Sequence, residues 1–471
     1  MKNKKQELLK NTIIIFAGKV STQLISFFLL PLYTAYLTTS QYGLVDLIQT
    51  YVTLLVPIIT LETEMSIFRY LIERRGKDKD THELLCNNTF ILLVGLLLFS
   101  IVYGIVCCFV SFPYKLLIYI DVLVCVLSGN FLQVARGQGK NIDYSIACVL
   151  TGITTIVSNI ILIIGLGLRS DGMIISMAVA NFVCDIYLFT RLKLYKHLNV
   201  KLKDTVLIKS MMKYSLPLIP NSISWWIINV SDRTIISIIL GSAANGLYAI
   251  SNKFSTILAS LLGIFNLSWS ESSSLHINDK DREDFFSDII NSIINLFSCI
   301  GLLLIAVMPF LFPILINSKF NDAINYIPIL IIAYVFNVVI CLYTGIYIGL
   351  KKTKEVASTT IIGAVVNILI NVLFIKYLGL YAAALSTALS YFAMMMYRYF
   401  DLKKYMKITY IKKNLLSLLL VFILILVLYY YNNFYLNIIS LIITIIYSYI
   451  LNRKFIKSGY KTIMRKLKVK V

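Results

Sequence analysis

Phe90–Val110 reads FILLVGLLLFSIVYGIVCCFV, a run without a single charged side chain. A helix of about 20 residues, rising about 1.5 Å per residue, crosses a hydrocarbon core about 30 Å thick. Runs of similar length recur along the chain, most plainly at 13–36, 415–431 and 434–451. The sequence therefore predicts a polytopic membrane protein built from transmembrane helices.

The overall composition agrees with this prediction. The 471 residues are 58% hydrophobic and only 14% charged, whereas soluble domains are about 45–50% apolar and about 25% charged. Turn residues and charge clusters divide the chain into about fourteen apolar spans. We expect an all-α fold without a soluble domain large enough to carry out chemistry alone.

Basic residues are placed unevenly along these spans. The net charge is +21, and the connections predicted to face the cytoplasm hold about nine Lys or Arg for each one in the outer loops. This bias predicts that both termini are cytoplasmic. Because anionic lipid headgroups account for the positive charge, we expect membrane lipids as partners and no nucleic acid.

The second half of the sequence partly repeats the first. A shift of 203 residues aligns 43–55 with 246–258 and matches seven pairs of identical or similar residues: Gly43 with Gly246, Leu44 with Leu247, Leu47 with Ile250, Gln49 with Asn252, Tyr51 with Phe254, Thr53 with Thr256, and Leu55 with Leu258. Each copy contains six spans, so the copies are predicted to be parallel. Two facing bundles of this kind are typical of alternating-access transporters.

The repeat sets the predicted domains. A first six-helix bundle covers 1–195, and a basic cytoplasmic linker covers 196–212. A second six-helix bundle covers 213–405. The remaining residues, 406–471, hold two additional transmembrane helices and a basic cytoplasmic tail.

Polar side chains concentrate on the first, second, seventh and eighth spans, which are equivalent pairs in the two copies. Such residues can act only as hydrogen-bonding contacts between helices. Their recurrence on equivalent spans instead favours a shared water-filled cavity. The predicted polar lining residues are Gln23, Gln49, Thr53, Asn221, Asn229, Asn252 and Asn266.

Four cations fall inside predicted spans: Lys19, Arg69, Arg233 and Lys253. Each would cost about 2.5–3.5 kcal/mol at the centre of a bilayer. Arg69 could extend to lipid phosphates at the cytoplasmic surface, and Arg233 could pair with a nearby acid. A cavity lined by these cations suits an anionic substrate, and phosphates above all.

Acidic residues occupy the same spans: Asp46, Glu62, Glu64, Asp232 and Glu271. They have two interpretations, which the sequence leaves open. They could be counter-ions for the four cations, or one of them could bind Na⁺ or a proton and couple transport to an ion gradient.

Several motifs are missing from the sequence. It contains no phosphate-binding loop, zinc-protease pattern or nucleophile elbow, and its predicted outer loops are too short for an enzyme acting on the outer face. The three histidines, His82, His197 and His276, are predicted to be solvated loop residues. The eight cysteines show no metal-binding spacing. We expect a protein that is not an enzyme, with no cofactor and no bound metal.

Several short stretches carry a resemblance to a known family: Asn11–Lys19, Phe27–Thr34, Tyr42-Gly43, Asp232-Arg233, Leu240-Gly241, Asn245–Tyr248 and Asn252–Phe254. They resemble the polysaccharide transporters of the multidrug/oligosaccharidyl-lipid/polysaccharide (MOP) exporter superfamily, and in particular the Wzx-type flippases. The resemblance extends over essentially the whole chain.

This resemblance implies a flippase in the bacterial cytoplasmic (inner) membrane. Its cargo would be an undecaprenyl-diphosphate-linked oligosaccharide for O-antigen or capsule synthesis, with polysaccharide polymerase or assembly proteins as further partners. Lys19 and Lys253 would contact the diphosphate or acidic sugars, Arg69 would receive the headgroup, and Arg233 would lie further out. The two additional helices could guide the lipid tail. The alternatives are a lipid II flippase, an ion-coupled multidrug antiporter and a membrane glycan polymerase.

Overall fold

The computed structural model describes residues 25, 27–75, 77–198 and 204–468, and all regular elements in these residues are helical. This result confirms the predicted all-α class. The chain divides into two compact units, with the boundary between Trp226 and Ile227. The division falls inside a helix, downstream of the basic linker 196–212 that the sequence predicts as the boundary.

The first unit contains eight helices before this boundary: α1 Leu30–Tyr36, α2 Thr39–Thr60, α3 Thr63–Glu73, α4 Asp78–Phe109, α5 Lys115–Gly137, α6 Asn141–Asn159, α7 Arg169–Arg191 and α8 Thr205–Ser215. A π-helix, Ile160–Gly165, extends α6. Single 3-10 turns, Leu194–His197 and Leu216–Leu218, flank α8.

A ninth helix, α9 Ile219–Ile239, carries the boundary between the units. The second unit continues with seven more helices: α10 Ser242–His276, α11 Arg282–Leu315, α12 Ile327–Gly349, α13 Thr353–Leu378, α14 Leu380–Leu402, α15 Lys412–Tyr431 and α16 Phe434–Lys468. The 3-10 helix Ser318–Tyr326 leads into α12.

The described residues contain eleven helices that are long and apolar enough to cross a membrane. A twelfth is counted if Ser242–Gly263 and Ser268–His276, which are bent by 41°, form one span. The first of the fourteen predicted spans lies largely outside the described residues. The seventh corresponds to α9, which is not among the eleven. The chain is a multi-pass membrane protein, and fourteen is an approximate count.

The second predicted span, 42–72, is not one continuous helix. It is divided into α2 and α3 at Leu61 and Glu62, whose φ angles are 51° and 56°. A left-handed conformation costs about 1–2 kcal/mol at a residue other than glycine. Contacts of the buried Glu62 carboxylate, which accepts a hydrogen bond from the Ser222 hydroxyl, offset part of this cost.

Packing in the first unit centres on α5, which contacts α2, α3 and α7. Thr38 begins α2 with a reciprocal cap, in which its hydroxyl accepts from the Gln41 N–H and the Gln41 side chain accepts from the Thr38 N–H. A buried apolar cluster that includes Leu71, Leu84 and Leu188 joins α3, α4 and α7. These contacts fix the helices that carry the polar side chains of this unit.

In the second unit, α10 packs along α12, and α13 forms an antiparallel hairpin with α14. A buried cluster that includes Ile236, Tyr248, Leu330, Ile375 and Ala383 joins five of the helices. The two additional helices, α15 and α16, pack against α11 and against each other. Their outer faces are apolar and exposed, as expected for helices in contact with lipid.

Candidate functional site

A buried polar site in the second unit surrounds Asp232 on α9, which is only 1% exposed. The hydroxyls of Tyr248 and Thr387 each donate to Oδ2 across 2.7 Å. The side-chain amide of Asn371 donates to Oδ1, also across 2.7 Å. The donors lie on α10, α14 and α13, so one carboxylate joins four helices. We call these four side chains the Asp232 cage.

A second layer of polar side chains supports the Asp232 cage. Asn367, one turn before Asn371 on α13, donates to the Ser386 hydroxyl at 3.4 Å and accepts from the Ser231 hydroxyl at 3.2 Å. The Ser386 hydroxyl lies 3.5 Å from Oδ1 of Asp232. These contacts hold the donors in place.

One atom of the Asp232 cage has no partner among the described residues. The carbonyl oxygen Oδ1 of Asn371 is buried and accepts no hydrogen bond from them. Buried carbonyl oxygens are normally satisfied. Carboxylate, hydroxyl and amide oxygens are also the ligands that hard cations prefer. The Asp232 cage therefore has the chemistry of a small cation site.

Two of the four predicted cations lie on the same helices as this site. Arg233 follows Asp232 on α9 and is half-buried, and its charge acts on both Asp232 and Tyr334. Lys253, on α10, is also half-buried. The predicted lining residue Asn252 is 5% exposed, and its Oδ1 lies 3.4 Å from the Tyr334 hydroxyl.

The first unit contains a buried acidic pair that the sequence analysis missed. Asp121 on α5 is fully buried and accepts from Nε2 of the predicted residue Gln49 across 2.6 Å. Asp185 on α7 is 5% exposed and accepts from the Ser128 hydroxyl across 2.7 Å. An acid within an apolar span is a sufficient signal, but these two acids lie in the fourth and sixth predicted spans, whereas the polar faces mark the first, second, seventh and eighth.

Glu64 is a further acidic residue of the first unit. It is half-buried on α3, and a Cβ atom at Gly129 would lie 3.0 Å from its Oε1, so the glycine provides the space that this carboxylate occupies. Glu62, at the break between α2 and α3, is held by Ser222. The indole N–H of Trp226 donates to the Thr50 carbonyl across 3.0 Å and fixes the start of α9 against α2.

Other predicted residues are more open. Arg69 is exposed and forms an ion pair with Glu73 at 2.8 Å. The remaining described residues range from half-buried (Asp46, Asn266) to exposed (Thr53, Asn221, Glu271). Lys19 and Gln23 lie outside the described residues, as does the side chain of Asn229. Their roles in binding, and those of the other predicted residues, stay predictions.

Arg398 on α14 is a further buried charge that the sequence analysis missed. Its side chain is fully buried and is held by neutral oxygens on two neighbouring helices. It donates to the hydroxyls of Thr359 at 2.9 Å and Thr344 at 2.5 Å, and to the Ile340 carbonyl at 3.1 Å. The guanidinium therefore fastens α12 and α13 to α14 and has a structural role.

The fold of the chain is similar to the folds of solved membrane transporters. The inward closed conformation of the lipid II flippase MurJ is similar, with a TM-score of 0.69 and 17% identity over 95% of this chain and 100% of that chain. An inward-facing multidrug resistance MATE family transporter of the MOP superfamily is similar with a TM-score of 0.67 and 12% identity, over 83% of this chain and 98% of that one.

A MOP superfamily transporter from Pyrococcus furiosus also has this fold, with a TM-score of 0.56 and 13% identity over 84% of this chain and 94% of that one. The family described as "Polysaccharide biosynthesis protein" matches residues 8–269, more than half of the chain. The chain belongs to this family, which confirms the resemblance found in the sequence. No curated protein matches the sequence.

Proposed function

We propose that the protein is a flippase that moves undecaprenyl-diphosphate-linked oligosaccharides from the cytoplasmic to the outer leaflet of the bacterial cytoplasmic membrane. The units would serve the synthesis of a surface polysaccharide such as O-antigen or capsule. The observation that supports this proposal most is the family match over residues 8–269 on a MOP transporter fold. Transport by alternating access, without enzymatic chemistry, follows from the same proposal.

The cargo of such a flippase is anionic, and the predicted cations suit it. Lys253 and Arg233 are half-buried on two helices that also supply the Asp232 cage. A cation that is partly withdrawn from water binds a diphosphate more strongly than an exposed one. We assign the diphosphate or acidic sugars to Lys19 and Lys253, the entering headgroup to Arg69, and a position further along the path to Arg233.

The Asp232 cage supplies a coupling site in this proposal. A proton alone would neutralise the carboxylate and add a donor where three donors already point at it. A Na⁺ ion would instead use the carboxylate, the hydroxyl oxygens and the unpartnered Oδ1 of Asn371. We therefore favour Na⁺ over H⁺ as the coupling ion.

A lipid II flippase is the second candidate. The fold match to MurJ covers 95% of this chain and so includes part of the segment with the two additional helices. The MATE match covers 83% and leaves a multidrug antiporter as a weaker alternative. A transport assay distinguishes the three candidate functions when lipid-linked oligosaccharide, lipid II and a cationic dye are each offered to vesicles that contain the protein.

The proposal is tested by transport in proteoliposomes. A fluorescent lipid-linked oligosaccharide is placed in one leaflet, and its arrival in the other is followed by quenching with a membrane-impermeant reductant. Loss of a charge-assisted contact of about 1.5–3 kcal/mol slows transport by about tenfold or more, so we expect this for Lys19→Ala and Lys253→Ala. Lys376, exposed on α13, provides the control Lys376→Ala. Unchanged transport in both test variants would remove the assigned site.

A further inference from the structure

Three metal-binding side chains of the first unit meet away from the acidic networks. His82 and Cys86 are one turn apart on α4 and therefore share a face. His197 ends the 3-10 turn that follows α7. Nδ1 of His82 lies 2.6 Å from Nδ1 of His197, and Nε2 of His82 lies 3.8 Å from Sγ of Cys86.

The three residues offer one ligand atom each, and these atoms lie within 4.8 Å of one another. Around a tetrahedral zinc ion, with bonds of about 2.0–2.1 Å to nitrogen and about 2.3 Å to sulfur, neighbouring ligand atoms are about 3.3–3.6 Å apart. The two Nδ1 atoms, 2.6 Å apart, are closer than this range, and the 3.8 Å contact to Sγ of Cys86 is made by the other ring nitrogen of His82, Nε2. Because an imidazole gives one nitrogen to a single ion, His82 would bind through one of the two, and the His82 and His197 rings would rotate to bring the three ligand atoms to tetrahedral separations.

We propose that His82, Cys86 and His197 form a Zn²⁺ site at the junction of α4 with the segment that follows α7. Imidazole nitrogen together with thiolate sulfur is a donor set that favours zinc over magnesium or calcium. Three protein ligands leave the fourth position to a water molecule. The sequence analysis treated both histidines as solvated loop residues, because His82 and His197 are far apart in the sequence and only the fold brings them together.

The surroundings suit ligands that must be held in place. Cys86 is 2% exposed, and both histidines are half-buried.

The site would fasten the connecting segment between α7 and α8. On the α8 side, the backbone N–H of Asp204 donates to Oδ1 of Asn87, the residue after Cys86, across 2.8 Å. On the α7 side, zinc would join His197 to α4. His197 and Asp204, which flank this segment, would then both be attached to the same part of α4. This inference does not depend on the proposed flippase function.

The test uses the full-length purified protein in detergent, titrated with Co²⁺ and Zn²⁺ in metal-buffered solution. We expect one Co²⁺ per chain with a thiolate-to-cobalt charge-transfer band, and displacement of the cobalt by Zn²⁺. Cys86→Ser should abolish the band, and His197→Gln should weaken Zn²⁺ binding by at least about tenfold. The control variants are Cys148→Ser, a buried cysteine elsewhere in the first unit, and His276→Gln, whose ring pairs with Asp279.

A second readout follows the connecting segment directly. Bound Zn²⁺ should slow tryptic cleavage after Lys196 in the wild type and in both controls, but not in His197→Gln. The metal titration of the wild-type protein tests whether the protein binds Zn²⁺ even if a variant fails to fold. Failure to bind Co²⁺ or Zn²⁺ stoichiometrically, or a band that persists in Cys86→Ser, would leave only a hydrogen bond between two histidines.

Discussion

Asn371 donates its side-chain N–H to Oδ1 of Asp232 across 2.7 Å, while its own carbonyl oxygen is buried without a donor among the described residues. A buried acceptor left unsatisfied costs about 1–3 kcal/mol. A cation bound beside the carboxylate would recover this free energy. The pairing of a saturated carboxylate with an unsatisfied amide oxygen makes the Asp232 cage a candidate for ion coupling.

The first prediction concerns the charge at this position. Asp232→Asn keeps the size of the side chain but removes the negative charge, so it should abolish stimulation of flipping by a Na⁺ gradient. Flipping rates in proteoliposomes with and without the gradient measure this effect. Asp279→Asn, at an exposed position paired with His276, is the matched control. Full Na⁺ stimulation in Asp232→Asn would place the coupling ion elsewhere.

The second prediction concerns a close approach of two helices in the second unit. A Cβ atom at Gly345 on α12 would lie 2.2 Å from Nε1 of Trp269, which is buried and donates to the Leu342 carbonyl. Gly345→Ala should therefore lower the free energy of unfolding by about 1–3 kcal/mol through overpacking. The apparent melting temperature in detergent would show the loss.

Gly104 on α4 provides the matched control, because a Cβ atom there meets nothing within 4 Å. Gly104→Ala should leave the melting temperature unchanged or raise it, since alanine favours a helix over glycine by about 1 kcal/mol. Equal melting temperatures for the two variants would mean that α12 and Trp269 do not pack as closely as described.

The transmembrane plan could be predicted from the sequence because the bilayer sets a length that apolar runs must meet. Asp232 was identified for a related reason, since an acid inside a span requires a polar environment. The break at Leu61 and Glu62 could not be predicted, because neither residue is a glycine or asparagine, the residue types that favour a left-handed conformation. The partners of a buried group are equally hidden when they lie on helices far apart in the sequence.

Arg398 shows a different limit. The same rule that identified Arg233 applies to it, but nothing in its local sequence shows that it is held by hydroxyls and carbonyls instead of a carboxylate. The cluster of His82, Cys86 and His197 was hidden because only two of its members are near in sequence. The local sequence therefore predicted some of the unusual residues, such as Asp232 and Arg233, but the packing of helices determined which side chains each of them contacts.

The third prediction concerns Arg398 and the geometry of its guanidinium. A lysine has one nitrogen and cannot reach Thr359, Thr344 and the Ile340 carbonyl at once. Arg398→Lys should lose at least one of these charge-assisted hydrogen bonds and lower the free energy of unfolding by about 3 kcal/mol. Arg453→Lys, at an exposed position on α16, should have no such effect. Thermal unfolding in detergent compares the two, and equal stability would contradict the structural role of Arg398.

The last prediction concerns the contact between Gln49 and Asp121 in the first unit. Because Asp121 is fully buried, loss of the Gln49 amide leaves one of its oxygens without its closest donor. Gln49→Leu alone should therefore cost about 1–3 kcal/mol of stability. Asp121→Leu alone should cost a similar amount of stability, because it leaves the Gln49 amide unpaired.

The double variant removes both polar groups at once, so its loss of stability should be smaller than the sum of the two single losses by about 1 kcal/mol or more. Unfolding in mixed micelles with increasing sodium dodecyl sulfate measures the stability of the wild type, the two single variants and the double variant. Strictly additive losses would show that the two side chains do not stabilise each other.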